Sequence, residues 1–539
     1  MRPLRSLGAL LAGTALLAGC AAGGGTAQGT GTDAPAEMVV ATGAMPVSGN
    51  PDRVATGDYF LNTHGFLVRA KYIPDERSGQ LKTSDFEFEG VLAESYDVSP
   101  DNLTYTFHLR EGLLSPQGNP LDADDVLYSF ERKWNGKGSL VAPIFAPALT
   151  DPATQITKID ESTVAFTVRR PGEGLHLLSN LSQVAGTILD REVLEQHATP
   201  TDPYAADWSA ERTNQAFGFG PYTTESFTDA EFVLAANPAY ALGAPAVPRV
   251  TYRVVADAAT RATALTAGEV DAALGLKPAD MANLESSDAA RAYSFDTSVA
   301  ILTLHTVVTH APFDDLRVRK ALALAVPYEE ISGNVYRDRI LLTPGRLDPT
   351  APNYDGEGIE PSRFDPAAAK ALLAEAGHPG GVPFTLTVGT TDQAVLDAAV
   401  QLQSFAREGG FDITIANATD AQIAAERPQG VWDAFLAVQS ATNASPAYQL
   451  GIFFSNAPFN TSRWMDAGLD ARIDQGLQVS DFAGSQAGRE WNTAERYLLE
   501  NQPSIWIGRT QPSNAFAPWV QGVTNRMDKS LDLTMVKPA

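Results

Sequence analysis

The most regular pattern of apolar and polar positions in this chain lies in residues 103–134. Apolar and polar side chains alternate strictly over residues 103–109, which predicts a strand with one buried face. Asp122 then stands where a helix N-cap is expected, with Asp125 three residues later. An apolar side chain recurs every four residues after this cap, at Val126, Phe130 and Trp134. We therefore predict a helix that begins after Asp122 and buries this face.

Further along, the pattern changes repeatedly between helical and strand periods. Residues 384–388 and 411–415 are short β-prone runs, and residues 395–408 between them have a helical period. These three segments predict a βαβ unit with parallel strands. The same signals predict strands at residues 249–255 and 270–274 and helices at residues 258–267, 367–376 and 484–500. We therefore expect an α/β fold.

The first twenty residues have the pattern of an export signal. Arg2 and Arg5 precede a short apolar run, which is followed by small residues and by Cys20, the one cysteine of the chain. The run is shorter than the roughly 20 residues that a membrane span requires. Residues 17–20 resemble a bacterial lipobox, in which the cysteine becomes the lipidated N-terminus. The alternative is an ordinary cleaved signal that ends near Cys20 by coincidence.

Composition and charge restrict the classes of partner that this protein can bind. The chain has 539 residues, 44% of them hydrophobic, and a formal net charge of −25. A chain this acidic is poorly suited to nucleic acid, and we expect contact with the membrane only through an N-terminal lipid. Since no cysteine other than Cys20 is present, disulfides and cysteine-based metal sites are excluded.

Catalytic motifs are missing from the sequence. It contains no Gly-x-Ser-x-Gly turn, no His-Glu-x-x-His pair and no phosphate-binding loop. His305 and His310 could in principle bind a metal ion, but their spacing matches no standard site. We therefore predict that the protein binds no cofactor and is not an enzyme. The alternative from a different functional class is a secreted hydrolase.

Several motifs, taken in order, resemble solute-binding protein family 5, the oligopeptide- and dipeptide-binding proteins of ABC importers. Each motif alone is weak evidence for the family. The resemblance rests on the motifs occurring together and in the order that the family shows. They are the segments 92–96 (Leu-Ala-Glu-Ser-Tyr), 103–112, 120–131, 220–222 (Gly-Pro-Tyr), 237–240 (Asn-Pro-Ala-Tyr), 261–271 and 312–322.

This resemblance implies a two-lobed periplasmic-binding-protein fold of class II, of the large peptide-binder type, with mixed sheets and a hinge between the lobes. The expected organisation is a signal peptide (1–19), a lipid-anchored flexible tether (20–37), lobe I with an extra subdomain (38–303), lobe II (304–505) and a return to lobe I (506–539). Residues 298–306 and 504–510 are expected to cross between the lobes. The protein would be a monomer on the outer face of the cell membrane, with importer permease subunits as partners.

The resemblance also implies where ligand binds. In peptide-binding members, an aspartate soon after a strand pairs with the amino terminus of the peptide, and a tryptophan often precedes it. After the strand at residues 432–438, Gln439 stands at the tryptophan position and Thr442 at the aspartate position. Thr442 carries no charge, so Ser440, Thr442 and Asn443 offer neutral hydrogen-bonding groups instead. The alternative is a polar loop without contact to ligand.

Other positions are candidates through the same resemblance. The first lobe would contribute Tyr59, Asn62 and His64 to the cleft, and the crossing strand would contribute His305. A loop that often faces ligand in the family corresponds to Phe459, Asn460, Arg463 and Trp464. Trp464 is equally consistent with a core position, and Arg463 with a solvated charge.

These observations together predict a receptor that captures a peptide or similar small solute between two lobes and delivers it to a permease. A non-peptide solute on the same fold, such as a glycoside, an opine or a metal chelate, is the alternative.

Overall fold

The computed structural model describes residues 36–54, 57–211, 215–295, 300–440, 445–451, 457 and 460–539. Cys20 and the predicted signal and tether up to residue 35 lie outside these residues. None of the helices in the described part of the chain has both the length and the hydrophobicity that a membrane span needs.

Strands follow one another along most of the described chain. In chain order they are β1 (Met38–Thr42), β2 (Gly65–Phe66), β3 (Val68–Pro74), β4 (Leu81–Gly90), β5 (Ala93–Val98), β6 (Thr104–Leu109), β7 (Ile156–Asp160), β8 (Thr163–Thr167), β9 (Thr187–Ile188), β10 (Tyr222–Phe227), β11 (Glu231–Ala236), β12 (Arg249–Val254), β13 (Ala272–Ala273), β14 (Arg291–Ala292), β15 (Ala300–Thr306), β16 (Ile340–Leu342), β17 (Val382–Gly389), β18 (Phe411–Ala418), β19 (Ala434–Ser440), β20 (Ser504–Thr510), β21 (Ala515–Phe516), β22 (Val520–Gln521), β23 (Thr524–Asn525) and β24 (Lys537–Pro538).

Helices alternate with these strands. They are α1 (Asp58–Thr63), α2 (Ala123–Asn135), α3 (Ala142–Phe145), α4 (Pro152–Gln155), α5 (Glu173–Leu181), α6 (Arg191–Gln196), α7 (Ala206–Ala210), α8 (Ala258–Thr266), α9 (Pro278–Glu285), α10 (Leu316–Leu324), α11 (Tyr328–Glu330), α12 (Pro366–Glu375), α13 (Gln393–Ala406), α14 (Asp420–Glu426), α15 (Pro446–Gly451), α16 (Ala467–Gly476) and α17 (Ser485–Asn501).

Lobe I is built around a mixed sheet with the order β10-β11-β12-β1-β13-β21-β14. Its central strand β1 is parallel to both β12 and β13. A separate antiparallel sheet, β5-β6-β8-β7, packs against α2 and forms an additional subdomain. The aromatic rings of Phe107, Phe130 and Phe166 meet in its core, with edge-to-face distances of 5.1 to 5.4 Å between centroids.

Lobe II contains a six-stranded sheet with the order β16-β20-β15-β19-β17-β18. The strands β17, β18 and β19 are parallel, whereas β15 is antiparallel to both β19 and β20. One face of the sheet packs against α10, α12 and α13, and the other packs largely against α15, α16 and α17. The predicted βαβ unit is confirmed, with β17, α13 and β18 as its parts.

The chain leaves lobe I after Phe295 and returns to it after Thr510. The predicted crossing strands, β15 and β20, pair entirely within the sheet of lobe II. The chain between β20 and β21 therefore joins the sheet of lobe II to the sheet of lobe I. Residues 296–299 lie outside the described residues, so the expected lobe boundaries at 303 and 505 stay predictions. The backbone NH of Phe295 donates a hydrogen bond to the Gln511 side chain at 2.7 Å.

Local patterns predicted the starts of two helices. Asp122 and Asp125 form a capping box at the start of α2, and Asp365 caps α12 by accepting a hydrogen bond from the NH of Ala368. One prediction differs in detail, because the strand expected at residues 270–274 is only two residues long.

A fully buried ion cluster connects the start of lobe I to α2. Asp52 accepts hydrogen bonds from Arg132 and from Lys133, and the three side chains are at most 2% exposed. Burial alone would raise the pKa of Asp52, but the charges of Lys133 and Arg132 outweigh it and hold this pKa below its usual value. The cluster therefore holds one carboxylate between two cations inside the fold.

We expect Asp52→Asn to destabilise the protein by about 3–5 kcal/mol, because it leaves two cations buried with one fewer charge to compensate them. Urea unfolding at neutral pH measures this change. The matched control is Asp207→Asn, which breaks the exposed pairs with Arg53 and Lys137 and should cost less than about 1 kcal/mol. Equal losses in the two variants would contradict the assignment of the cluster as a folding determinant.

Candidate functional site

A crevice opens in lobe II at the carboxyl ends of β17 and β19. The two parallel strands pair only as far as Val388 and Leu436, while β19 continues to Ser440 alongside β15. A cavity of about 320 Å³ lies where they separate. Its lining consists of Gly389, Thr391, Asp392, Val395, Asp420, Ile423, Ala424, Arg427, Phe435, Leu436, Ala437 and Val438. Crevices outside the carboxyl ends of parallel strands are the usual ligand sites of open α/β sheets.

A second cavity, of about 130 Å³, extends this crevice toward lobe I. The two cavities share Asp392 and Val438 as lining residues. The second is also lined by lobe I side chains such as Met281 and Lys529 and by the passage at residues 511–513. The two cavities therefore form a cleft, defined by these linings, that reaches from the sheet of lobe II to lobe I.

Both acidic and basic side chains line this cleft. Asp392 caps α13 and accepts hydrogen bonds from the NH groups of Ala394 and Val395 at 2.9 and 3.3 Å. Burial lowers the pKa of Lys529 to about 8, although the charge of Asp392 acts in the opposite direction. Burial also lowers the pKa of Arg427. Cations held in partly desolvated positions favour the approach of an anionic group.

The predicted ligand loop begins next to the larger cavity. Gln439 and Ser440 directly follow the lining residues Ala437 and Val438 at the end of β19. The side-chain oxygen of Gln439 is buried and has no hydrogen-bond partner among the described residues. Thr442, Asn443 and Phe459 lie outside the described residues, so their roles stay predictions.

The structure places Tyr59, Asn62 and His64 inside lobe I, apart from the cleft lining. The Tyr59 ring packs edge-to-face on Phe227 and Phe232. Asn62 is fully buried and joins α1 to the C-terminal segment by donating to the Leu531 carbonyl at 2.8 Å and accepting from the Leu533 NH at 3.0 Å. These contacts favour a structural role for both side chains, and their contribution to ligand binding stays a prediction.

His64 and His305 are both buried, at 3% and 2% exposed. His64 shares a hydrogen bond with the Thr63 hydroxyl at 2.9 Å, and burial is the main cause that lowers its pKa to about 3. His305 shares a hydrogen bond of 2.8 Å with the Ser504 hydroxyl on the neighbouring strand. Neither ring lines the two cavities, and neither is set up as a metal ligand by these contacts.

The described part of the second predicted loop is compactly folded. The Asn460 side chain donates to the Trp464 carbonyl at 2.6 Å and accepts from the Ser462 hydroxyl at 2.9 Å. Trp464 is 8% exposed and belongs to the core beneath α16 and α17, in agreement with the core interpretation. Arg463 is half-buried beside Gly430 and does not line the cleft.

One group of acidic side chains is close enough to share a cation. Asp122, Asp124 and Glu161 lie together near the start of α2. However, the Lys158 ammonium pairs with Asp124 at 3.0 Å and with Glu161 at 2.9 Å. This surface network supplies its own cation, so it needs no metal ion, and the expectation of no cofactor stays a prediction.

Comparison with known proteins identifies the family. The family of bacterial extracellular solute-binding proteins, family 5, matches residues 87–461, in the part described as its middle region. The chain belongs to solute-binding protein family 5. Di/tripeptide-binding protein 2 of Pseudomonas aeruginosa is 28% identical to this chain. The match covers 89% of this chain and 90% of the relative. Di/tripeptide-binding protein 1 of the same species is 30% identical over 72% of this chain and 75% of the relative.

Solved structures show the same fold. The periplasmic binding protein DppA of Helicobacter pylori, in complex with the peptide STSA, has a TM-score of 0.76 at 22% identity and covers 93% of this chain and 98% of its own. The dipeptide-binding protein of a Pseudoalteromonas species, in complex with Met-Leu, has a TM-score of 0.76 at 21% identity. The match covers 93% of this chain and 100% of that protein's chain. The predicted two-lobed periplasmic-binding-protein fold is therefore confirmed, and the family relatives named here are binding proteins rather than enzymes.

Sequence reasoning missed the residues that line the larger cavity. Arg427 and Phe435 come from separate segments and are brought together only when α14 packs on the sheet. The one available signal was the parallel βαβ unit, because its strand ends indicate where such a fold binds ligand. That signal predicts the place of the site but not the side chains around it.

The buried His305 ring predicts how the stability of the protein depends on pH. Burial, with smaller contributions from the charges of Arg346 and Arg427, lowers the pKa of His305 to about 3. Between about pH 6.5 and pH 3, the unfolded chain binds a proton at His305 that the folded protein does not, so its contribution to stability is lost as the pH falls. From pH 7 to pH 5, His305→Gln should therefore lose about 2 kcal/mol less stability than the unmodified protein.

Urea unfolding of both proteins at the two pH values measures this difference, and other titrating groups cancel in the comparison. His108→Gln is the control, because the His108 side chain is 42% exposed. Parallel pH profiles for His305→Gln and the unmodified protein would show that His305 is not buried as a neutral ring.

Proposed function

We propose that this protein captures a peptide between its two lobes as the extracytoplasmic substrate-binding component of an ABC importer. Membership of solute-binding protein family 5, whose relatives include the di- and tripeptide-binding proteins named above, carries this proposal. The cleft supports it, because its linings come from both lobes and a bound solute would contact both. Lobes that close around a ligand present a different surface, which a permease can detect.

The free edge of β19 supports a peptide as the ligand. Beyond Leu436, the edge of β19 that faces β17 has no strand partner among the described residues, although its other edge stays paired with β15. An extended peptide can add to such an edge through main-chain hydrogen bonds. Glycosides, opines and metal chelates have no equivalent backbone, and the relatives do not favour them.

The N-terminal residues complete the proposal. Residues 1–19 direct export, Cys20 carries the lipid, and the predicted tether after Cys20 leads to the folded part, to which Glu37 at its end is already joined by its ion pair with Arg249. The folded part then acts as a monomer that delivers its solute to the permease subunits. The sequence pattern before and at Cys20 supports this arrangement.

The proposed function predicts that a peptide is bound. Native mass spectrometry of protein purified without denaturation should detect a bound peptide, and calorimetry with a peptide panel should reproduce its binding. Because Thr442 stands where peptide-binding relatives carry an aspartate, simple dipeptides with a free amino terminus should bind more weakly than longer or N-acetylated peptides. Thr442→Asp should strengthen the binding of free-amine peptides by on the order of 1.5–3 kcal/mol.

The matched control is Thr442→Asn, which adds a similar side chain without a charge and should not produce this gain. Tight binding of ordinary dipeptides by the unmodified protein would show that another group holds the amino terminus. Binding of non-peptide solutes in place of every peptide would refute the peptide assignment.

The lipid anchor can be tested at Cys20. Cys20→Ser should release the protein from the membrane fraction and leave its melting temperature unchanged, because Cys20 precedes the predicted tether. Fractionation of cells that express either form measures the release. If the variant stays in the membrane fraction to the same extent, the lipid-anchor proposal fails.

A further inference from the structure

A third cavity, the C-terminal cavity, lies in lobe I and is lined mainly by residues 523–526 and 529–531. Tyr293, Phe295 and Asn514 complete most of the rest of its lining. Its volume is about 20 Å³. One water molecule needs roughly 10–15 Å³ of such space. The cavity therefore has room for one water molecule or one monatomic ion, and it is too small for a peptide.

Two buried hydroxyl groups in this lining have no hydrogen-bond partner among the described residues. Thr524 is 8% exposed and Ser530 is 4% exposed, and the side-chain oxygen of each is buried without a partner. A buried hydroxyl that makes no hydrogen bond costs free energy. An occupant of the cavity that accepts hydrogen bonds from both groups would offset this cost.

Lys529 adds a positive charge to the same lining. Burial lowers the pKa of its ammonium group to about 8, so most of it stays protonated at pH 7. In the described part of the chain, no carboxylate forms an ion pair with this ammonium and no oxygen accepts a hydrogen bond from it. Asp392 acts on Lys529 from lobe II through its charge, but its carboxylate caps α13.

Other cations of this protein obtain partners from the chain itself. Arg526, the second cation in the lining, lies 3.1 Å from a carboxylate oxygen of Asp528. Arg261 and Arg319 donate to several backbone carbonyls instead. Since the lining contains no acidic side chain, the charge of Lys529 is the one in this cavity that is left without either kind of partner.

We propose that the C-terminal cavity binds one chloride ion, held by the Lys529 ammonium and by the hydroxyl groups of Thr524 and Ser530. An ammonium and a hydroxyl both donate hydrogen bonds, and a monatomic anion accepts from all three groups at once. The positive charge of Lys529 repels a metal cation, and the volume excludes sulfate and phosphate.

The ion would connect the C-terminal segment to the chain between β20 and β21, because Pro512 and Asn514 lie in the same lining. The expected effect is a lobe I that is more stable in chloride. This site goes beyond the proposed function, and its tests use no solute.

Anomalous diffraction tests where the ion binds. Crystals of the unmodified protein grown in sodium bromide should show an anomalous peak in the C-terminal cavity, since bromide is a slightly larger halide with the same charge. Lys529→Met keeps a long side chain without the charge and should lose the peak. The matched control is Lys537→Met, an exposed lysine of the same segment, which should keep it. A water molecule in the cavity and no anomalous peak would overturn the proposal.

Melting temperatures test binding in solution, with chloride exchanged for gluconate at constant ionic strength. Chloride should raise the melting temperature of the unmodified protein and of Lys537→Met until the site is saturated, and Lys529→Met should lose this response. Thr524→Val removes one unpaired hydroxyl, so it should not lower the melting temperature in gluconate. The chloride concentration that gives half of the effect should rise on the order of 10-fold in this variant.

Each other outcome decides against the site. An anomalous peak without any response to chloride in solution would show an adventitious ion only. An equal response in Lys529→Met and the unmodified protein would place the chloride effect elsewhere. If Lys529→Met does not fold, Thr524→Val and Ser530→Ala replace it, and an unchanged half-effect concentration in both would refute the proposal. None of these results bears on the peptide assignment.

Discussion

The pairing of β15 with β20 is the constraint on which the rest of the structure depends. Leu304 and Ile505, about two hundred residues apart in the chain, are partners in this ladder, and both strands are buried along their whole length. The His305–Ser504 hydrogen bond adds a side-chain link across it. Because these strands lie side by side, Phe295 and Gln511 next to them are also neighbours and share a hydrogen bond. On the other side of β15, β19 lines the cleft.

Buried charges of this protein are stabilised in different ways. In lobe I, the Asp52 carboxylate is buried between Arg132 and Lys133, so these ion pairs lie within the chain. Arg261 donates instead to backbone carbonyls, among them those of Leu274 and Gly275. At the larger cavity, the buried Nε atom of Arg427 has no hydrogen-bond partner among the described residues. Burial of a charge costs free energy in each case, and the contacts of the charged group decide how much of that cost is offset.

Contacts between the lobes are not limited to the passages. The NH of Gly172 in lobe I donates to the carbonyl of Leu477 in lobe II at 2.9 Å, and Arg170 forms an ion pair with Asp474 nearby. Buried contacts also join the lobes, since the His176 ring stacks on Tyr448 and Arg339 forms an ion pair with Glu285. A ligand that touches both lobes adds to them, which is how binding can shift the balance between open and closed forms.

The sequence by itself determined the local elements and the family. Alternation and capping predicted β6, α2 and the parallel unit of β17, α13 and β18, because these signals depend on residues close together in the chain. Only the tertiary structure decided which side chains face the cleft. Tyr59 and Asn62 are drawn into the core by partners far away in the sequence, whereas Arg427 lines the larger cavity because α14 packs on the sheet. Compensation of a buried charge depends on distances in space, and these are set only when the lobes have folded.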